Sequence, residues 1–281
     1  MTVELSPITD ADVVAVANFL YANYDDRIPW ADSRLRGPWK VEAPNHGFML
    51  RDGQSIVGAH TAFYSERSVE GRMERFCDMG TWCVLPEFRF HSIRLIKAVL
   101  AQDDYHFTSF TASDKVATIH TRLGFRPLDT SAALIPNLPW PTLPGRTTIS
   151  ADPDVIESTL AGTELGIYHD HAQALAARHI VLIRGPDSCY IMYRETRDKA
   201  VPFAVIVHVS NHQLFYRAIL PFTRYLLVRN RLPATLAELR IIGSRPPLSL
   251  KVTAQHKAYL SASLEPGQID YLYSELLCIP W

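Results

Sequence analysis

A carboxylate among aromatic residues is the first candidate for chemistry in this sequence. In the segment ERFCDMGTWCV, Phe76, Asp78 and Trp82 are separated by two and four residues. Side chains alternate between the two faces of a β-strand, so a strand would place these three on one face. A carboxylate beside apolar rings tends to have its pKa raised, which suits a general base. Glu74 lies upstream on the same face and is a reserve base that could act through water. The alternative for Asp78 is a hydrogen bond to a neighbouring loop.

A basic helix start follows directly after this strand. The segment RFHSIRLIKAVLAQ begins at Arg89, carries Arg94 and predicts a helix from Ser92 to Leu100. The free N–H groups and positive dipole end of a helix N-terminus favour a phosphate group. The segment contains no glycine, the residue that usually lets a phosphate approach the backbone. Solvated arginines at an ordinary helix start are the alternative interpretation.

Two histidine pairs have the composition of a metal site but not its spacing. In YHDHA, His169 and His171 would point to different sides of a helix, which argues against a zinc pair. His208 and His212 follow a strand later in the chain and could form a second ligand site. A structural role is favoured there, because no proline, arginine or glycine accompanies them. We therefore predict no bound metal.

The elements that would position these residues follow a mixed order. A helix with Asp10 as its N-cap is followed by two strands around an Asp52-Gly53 turn and by a third strand that ends at Pro86. A helix, a strand, a second helix closed by Gly124 and a final strand come next. This order predicts the α/β class, as an α+β mixed sheet with an antiparallel front and a β-α-β crossover.

A proline-rich segment, IPNLPWPTLPG, divides the sequence into two parts. It predicts a stiff connector over residues 130–149. After it, helices, three strands and a long helix follow one another in an order like that of the first part. We predict a first domain at residues 1–129 and a second of similar architecture at residues 150–281.

Composition limits the classes of partner. The chain has 281 residues, of which 47% are hydrophobic and 20% charged, with a formal net charge of −1, so it lacks the basic field of a nucleic-acid-binding protein. An acidic N-terminus and the absence of an apolar run of about 18 residues predict neither a signal peptide nor a membrane helix. The four cysteines show no CxxC spacing. We expect a cytoplasmic protein with reduced thiols and neither nucleic acid nor membrane as partner.

Two segments together resemble the motifs of the GNAT superfamily of acyl-CoA-dependent N-acyltransferases. The first family motif is a strand with V-x-P, followed by Arg/Gln-x-x-Gly-x-Gly/Ala opening a helix, and Val84, Pro86 and Arg89 lie in register with it. The second motif is a helix ending in Tyr-x-x-x-Gly-Phe, and Gly124 and Phe125 match its end. The resemblance implies a GNAT-like fold and, with the repeated element order, two tandem GNAT-like halves of which the second is degenerate.

The resemblance also implies where acetyl-CoA or another acyl-CoA would bind. The family's V-x-P strand separates from its neighbour and offers backbone groups to pantetheine, and the following turn holds the pyrophosphate. The residues that it assigns to this co-substrate are Cys83, Val84, Leu85, Arg89, Ser92, Ile93, Arg94 and Ser113. Ser92 and Arg94 replace the two family glycines, and their side chains could supply the donors that a close backbone would have given. Ser113 stands where the family often has an Asn that contacts CoA.

The catalytic roles follow from the same register. Asp78 stands at the family position of the base. His120 stands at the family tyrosine that protonates the leaving thiolate, and imidazole can donate a proton near neutral pH. A packed helix histidine is the alternative for His120, and Tyr64 and Tyr105 are other possible donors.

The sequence therefore predicts an N-acyltransferase that moves an acetyl or other acyl group from acyl-CoA to the amine of a small molecule, such as an amino sugar or amino acid. Two rivals remain open. The first is a non-catalytic acyl-CoA-binding sensor or scaffold. The second is an acyltransferase whose donor is an acyl-carrier protein, docked on a basic surface near Arg89, Arg94 and Lys97. Oligomer formation is possible and also stays open.

Overall fold

The structure of the chain is a computed structural model that describes residues 3–33, 35–141 and 147–280. The strands are β1 (Glu4–Pro7), β2 (Gly47–Asp52), β3 (Ser55–Val69), β4 (Arg72–Val84), β5 (His106–Ser109), β6 (Arg126–Pro127), β7 (Ser131–Pro136), β8 (Thr148–Ser150), β9 (Arg178–Arg184), β10 (Asp187–Asp198), β11 (Val201–Val209), β12 (Ala234–Glu238), β13 (Leu250–Thr253) and β14 (Ala258–Leu260). The α-helices are α1 (Val13–Asn23), α2 (Trp30–Ser33), α3 (Ser92–Leu100), α4 (Asp114–Arg122), α5 (Pro153–Thr159), α6 (Gly162–His171), α7 (His212–Arg217), α8 (Ile219–Asn230), α9 (Leu239–Ile242) and α10 (Glu275–Cys278). Short 3-10 helices occupy Pro86–His91 and Pro266–Gln268.

The chain forms two compact units whose boundaries differ from the predicted ones. The first unit contains the chain up to Leu128 together with Gln255–Ile269 and Tyr273–Pro280. The second contains Asp129–Ala254 and Asp270–Leu272. Strand β7 lies inside the connector predicted at residues 130–149, and residues 142–146 of that connector lie outside the described residues. Much of the C-terminal segment that was assigned to the second domain thus belongs to the first unit.

The sheet of the first unit is mixed, as predicted. Its strand order is β1-β2-β3-β4-β5-β14-β6. The neighbours are antiparallel except β4 and β5, which run parallel. Strand β14 comes from the C-terminal part of the chain and separates β5 from β6. The mixed α/β class is confirmed, but a strand from far along the sequence completes the sheet.

The sheet of the second unit repeats this pattern of directions. Its order is β8-β9-β10-β11-β12-β7-β13, again with one parallel pair, β11 and β12. The strand beside the parallel pair is β7, which precedes the rest of this sheet in the sequence. Strand β11 continues to Val209, whereas its pairing with β12 ends at Ile206. Each sheet therefore contains a strand that leaves its parallel neighbour.

Turn residues and apolar periodicity account for the local structure of the first unit. The predicted Asp52-Gly53 turn joins β2 to β3, and Gly53 takes a φ of +59°, which glycine adopts without strain. Helix α3 buries Leu95, Ile96 and Val99 against the sheet. The prediction for Asp10 was wrong, because the N-cap of α1 lies two residues later, at Asp12.

The N-terminal cap position of α1 is held by Asp12. The side chain of Asp12 accepts hydrogen bonds from the N–H and hydroxyl of Thr9. Asp10 instead bonds to the ring of His46, at 2.8 Å. Asp10 and Asp12 satisfy the same sequence pattern, and the structure places Asp12 at the cap and Asp10 against His46.

Strand β4 carries an extra residue near its end. His60 pairs with Trp82, but Ala62 pairs with Met79, so β4 contains a β-bulge between these two pairs. Trp82 packs against the core cluster that contains Met79, the residue next to Asp78. Adjacent strand residues point to opposite faces, so Trp82 does not share the face of Asp78. The predicted even alternation through Trp82 was wrong because the bulge shifts it by one residue.

The parallel strands β4 and β5 separate after the pair formed by Asp78 and Thr108. Their last paired residues are Asp78 and Thr108, whereas β4 continues to Val84. Residues of β4 after Asp78 therefore have no β5 partner on that side. The separation of the V-x-P strand from its parallel neighbour is present at the level of the predicted base.

None of the helices in the described parts of the chain is long and apolar enough to cross a membrane. The four cysteines, all in described positions, are buried free thiols.

Candidate functional site

Asp78 is a buried carboxyl at the point where β4 and β5 separate. The residue is only 3% exposed to solvent. The Thr108 hydroxyl donates to Oδ1 at 2.8 Å, and the main-chain N–H of Glu275 donates to Oδ2 at 2.8 Å. Burial raises the pKa of Asp78 to about 8, although both hydrogen bonds act in the opposite direction. Asp78 therefore becomes an ionised base mainly above neutral pH.

Glu275 is the residue of this site that sequence reasoning missed. It is 0% exposed and begins α10. Its Oε1 accepts hydrogen bonds from the N–H and the hydroxyl of Thr81, both at 2.7 Å, and its Oε2 accepts one from the Thr111 hydroxyl at 2.9 Å. Burial raises its pKa, and these hydrogen bonds oppose the shift. The one available signal was an acidic residue inside the apolar C-terminal run SELLCIP.

Gly80 makes room for the Glu275 carboxylate. A Cβ atom on Gly80 would lie 2.6 Å from Glu275 Oε1 and 2.5 Å from the Thr61 hydroxyl oxygen. Real Cβ atoms do not approach other atoms so closely, so a side chain here would displace the carboxylate. The glycine at the bulge thus serves the contact with α10 rather than a positive φ.

His120 is buried and electrically neutral at pH 7. It is 1% exposed, and its ring stacks on Phe125 with a centroid distance of 4.6 Å. Burial, with a smaller contribution from His256, lowers the pKa of His120 to about 4. Neither ring nitrogen has a hydrogen-bond partner among the residues that the structure describes. A neutral imidazole still carries one N–H, so a ligand atom could accept from it.

Glu74 belongs to a different hydrogen-bonded chain from Asp78. Its Oε2 lies 3.0 Å from Nε2 of His106, and Nδ1 of His106 lies 2.9 Å from the Ser261 hydroxyl. The same hydroxyl oxygen accepts from the N–H groups of Ser263 and Leu264. The lone pairs of Ser261 are thus occupied, which argues against a nucleophilic serine. The arrangement ties β4 and β5 to the turn after β14.

The two alternative tyrosine donors are engaged elsewhere. The Tyr64 hydroxyl donates to Asn45 Oδ1 at 2.7 Å and accepts from Gln102 Nε2 at 2.8 Å. The Tyr105 hydroxyl accepts from the guanidinium of Arg75. Burial raises the pKa of both tyrosines. Both hydroxyls are thus held in hydrogen bonds of the first unit and are poor candidates for proton transfer.

The end of β4 presents backbone groups on its open side. The Leu85 N–H donates to the Val57 carbonyl of β3 at 3.0 Å. Hydrogen-bonding direction alternates along an antiparallel strand, so the backbone of Cys83 also faces β3. The backbone groups of Trp82 and Val84 therefore face the side that β5 has left. Of the three residues assigned to pantetheine, Val84 has the backbone orientation that the contact requires.

The segment assigned to the pyrophosphate is wound into a helix before α3 begins. The 3-10 helix Pro86–His91 leads directly into α3, and the Ser92 N–H donates to the Arg89 carbonyl. Arg94 Nη1 donates to the Val3 carbonyl at 2.9 Å. A continuous helix needs no positive φ, which explains why no glycine occurs here. It also uses a main-chain donor that an open phosphate-binding turn would leave free.

The other residues assigned to the co-substrate lie near the surface or at a helix start. Arg89 is exposed, and Ile93 is 36% exposed. Ser113 occupies the N-cap position of α4, but its side chain makes no capping hydrogen bond. Arg89 and the Ser113 hydroxyl are therefore open to a ligand approaching α3 or α4.

The histidine pairs of the second unit do not assemble a metal site. Within the described residues, no group of three or more His, Cys, Asp or Glu side chains has an arrangement that could hold a metal ion. His169 is exposed and lies 3.7 Å from a carboxylate oxygen of Glu157. His171 is buried, and its Nδ1 lies 2.8 Å from the Ile167 carbonyl. Burial lowers the pKa of His171 to about 4 and also lowers that of His208.

No protein-family model and no curated protein matches the sequence. Solved structures do share its fold. A GCN5-related N-acetyltransferase from Anabaena variabilis superposes with a TM-score of 0.56 at 11% identity, covering 92% of this chain and 72% of that one. A GCN5-related N-acetyltransferase from Kribbella flavida gives 0.54 at 11% identity, covering 92% and 71%.

An N-myristoyltransferase from Saccharomyces cerevisiae, solved with bound myristoyl-CoA, gives a TM-score of 0.51 at 11% identity and covers 98% of this chain and 85% of its own. Structural similarity at such low sequence identity indicates a shared fold and does not establish a particular reaction. The chain has the fold of the GCN5-related N-acetyltransferases.

Proposed function

We propose that the protein is an N-acyltransferase that moves an acetyl or other acyl group from acyl-CoA to the amine of a small molecule. The observation that carries this proposal is the position of Asp78. A buried carboxyl with a raised pKa lies where β4 leaves β5, next to the backbone that would hold a pantetheine arm. The fold supports an acyl-CoA donor, and the acceptor class rests on the resemblance of the sequence motifs.

The reaction assigns a proton transfer to Asp78 and a hydrogen bond to His120. The amine nitrogen attacks the thioester carbonyl carbon and forms the C–N bond, and Asp78 takes the amine proton. The C–S bond breaks, the N–H of neutral His120 donates a hydrogen bond to the departing thiolate, and the thiolate takes its proton from solvent. The absence of a partner for either His120 nitrogen among the described residues supports this role, because a ligand sulfur could accept that hydrogen bond.

The co-substrate would lie along the open side of β4. Val84 would pair with a pantetheine amide through its backbone, and exposed Arg89 would contact the diphosphate. Ile93 and Ser113 would border the same ligand, with Ser92 and Arg94 at the start of α3. We propose the second unit as a degenerate GNAT-like half, which the shared strand order supports.

The donor is tested by thermal unfolding with acetyl-CoA, longer acyl-CoAs and free CoA. We expect the melting temperature to rise with at least one of them, because a ligand that binds only the folded state stabilises it. No shift with any of them would contradict the CoA proposals. Release of CoA in the presence of an amine panel then separates an enzyme from a sensor.

A second donor is favoured by one observation on α3. The Ser92 N–H already donates a hydrogen bond to the Arg89 carbonyl, and the Arg94 guanidinium donates one to the Val3 carbonyl. The segment therefore offers fewer hydrogen-bond donors to a diphosphate than an open turn does. An acyl-carrier protein needs no adenosine-diphosphate site and would dock through Arg89 and Lys97 instead. Transfer from an acyl-carrier protein without any response to acyl-CoA would decide for this donor.

A further inference from the structure

We propose that Glu275 is a positioning residue of the acyl-transfer site, which bridges the two separated strands and orients the carboxyl of Asp78. The inference rests on the proposed function and adds a residue that lies outside both sequence motifs. We assign Glu275 no contact with the substrate. We expect it to affect the reaction by orienting Asp78 and by fixing the width of the opening beside β4.

The bridge spans the two sides of the opening. Glu275 Oε1 is bonded twice to Thr81, which belongs to β4 after its pairing with β5 has ended. Oε2 is bonded to Thr111, which follows the end of β5 at Ser109. One carboxylate thus connects two segments that no longer pair with each other, and it fixes their separation.

The backbone of Glu275 acts on Asp78 at the same time. Its N–H donates to Asp78 Oδ2, while Thr108 donates to Oδ1. Both oxygens of the proposed base therefore have fixed partners, one from β5 and one from α10. A carboxyl held in this way keeps one orientation when an amine approaches.

The charge of Glu275 is the second way in which it affects Asp78. Thr81, Thr111 and, at 3.4 Å, Thr61 all donate to the Glu275 carboxylate. The Thr81 N–H can only donate, which favours the ionised form of Glu275. That negative charge adds to the effect of burial in raising the pKa of Asp78, whereas Arg67 acts in the opposite direction. Glu275 thus adjusts the pH at which Asp78 can accept a proton.

The charge is tested with Glu275→Gln, which keeps the size of the side chain. The amide oxygen can still accept from Thr81, and the amide nitrogen can donate to the Thr111 hydroxyl, so the bridge is retained without its charge. We expect the titration of the Asp78 carboxyl, followed by NMR with carbon-labelled aspartate, to move to lower pH by about one unit. The midpoint of the pH–rate profile should move with it, while KM for the acyl donor changes less than kcat.

The bridge is tested separately with Thr111→Val, which removes one donor and leaves the charge. We expect a several-fold loss of kcat with the titration of Asp78 unchanged. Glu265→Gln is the matched control for charge, since Glu265 is an exposed partner of Arg126 in the same unit. This control should leave the titration of Asp78, the kcat and the KM as in the wild type.

The outcomes distinguish this inference from the proposed function. An unshifted Asp78 titration in Glu275→Gln would overturn the effect of the charge, whether or not acyl transfer is observed. A Thr111→Val variant with wild-type kcat would overturn the role of the bridge. Absence of transfer by the wild-type protein would instead contradict the proposed function. The inference about Glu275 would still be tested, because the NMR titration of Asp78 does not depend on activity.

Discussion

The main-chain N–H of Glu275 lies 2.8 Å from Oδ2 of Asp78, although 197 positions separate these residues in the sequence. The two sequence motifs that resemble the GNAT family lie in the first part of the chain. The candidate site, however, is completed by a C-terminal helix that belongs to the same structural unit as those motifs. The C-terminal segment is thus part of the site and part of the core of the first unit.

The base is tested directly by Asp78→Asn. We expect CoA release to fall by roughly 10²–10⁴-fold, because the amide cannot accept the amine proton. The fold should be retained, since the amide oxygen can accept from the Glu275 N–H and the amide nitrogen can donate to Thr108. A rate equal to that of the wild type would move the assignment to Glu74, and Glu74→Gln is the variant to measure next.

The wild-type reaction should depend on pH through Asp78. Because the pKa of Asp78 is raised to about 8 and the base must be ionised, the rate should increase as the pH rises from 7 towards 9. Steady-state kinetics across this range with a high-pKa amine and a low-pKa amine would separate ionisation of the enzyme from that of the acceptor. A profile that is flat above pH 6 would contradict the assignment.

The stability of the fold should fall as the pH rises from about 4 to about 8. A carboxyl whose pKa is higher in the folded state binds its proton more tightly there, so its favourable contribution is present at low pH. For Asp78 that contribution is lost between the ordinary aspartate value of about 4 and the raised value of about 8. Urea unfolding at pH 5, 7 and 9 should show a smaller pH dependence in Asp78→Asn than in the wild type.

Gly80 should tolerate no side chain. In Gly80→Ala the new Cβ would meet Glu275 Oε1 and Thr61, and we expect a loss of about 1–3 kcal/mol in the free energy of unfolding. Gly267→Ala is the control, because a Cβ at Gly267 has no heavy atom within 4 Å and lies in the same unit. Equal stability of the two variants in denaturant titrations would argue against the close contact between β4 and α10.

The first unit should depend on the C-terminal segment for its fold. A chain that ends at Leu128 lacks β14, the strand between β5 and β6, and also lacks Glu275. It would expose the unpaired edges of β5 and β6, so we expect no cooperative unfolding transition in circular dichroism. Restoration of a transition by adding a peptide of residues 255–280 would support the contribution of this segment, and cooperative unfolding of the short chain alone would contradict it.

Local sequence was sufficient for elements whose signals lie within a few residues of one another. The Asp52-Gly53 turn, the helix from Ser92 to Leu100 and the mixed order of strands and helices were read correctly, because backbone preference and apolar periodicity act over short distances. The even alternation from Phe76 failed at Trp82. A bulge depends on how β3 and β4 pair, which spacing along one strand does not reveal.

Only the tertiary structure brought Glu275 to Asp78, inserted β14 between β5 and β6, and turned Arg94 towards Val3. These contacts depend on chain reversal over large sequence distances, and many pairings are compatible with the same local pattern. The sequence by itself indicated candidate residues for the chemistry and the strand and helix that carry them. The folded chain decided which carboxylates meet and which backbone groups stay open, because burial and long-range pairing select one arrangement from those the sequence permits.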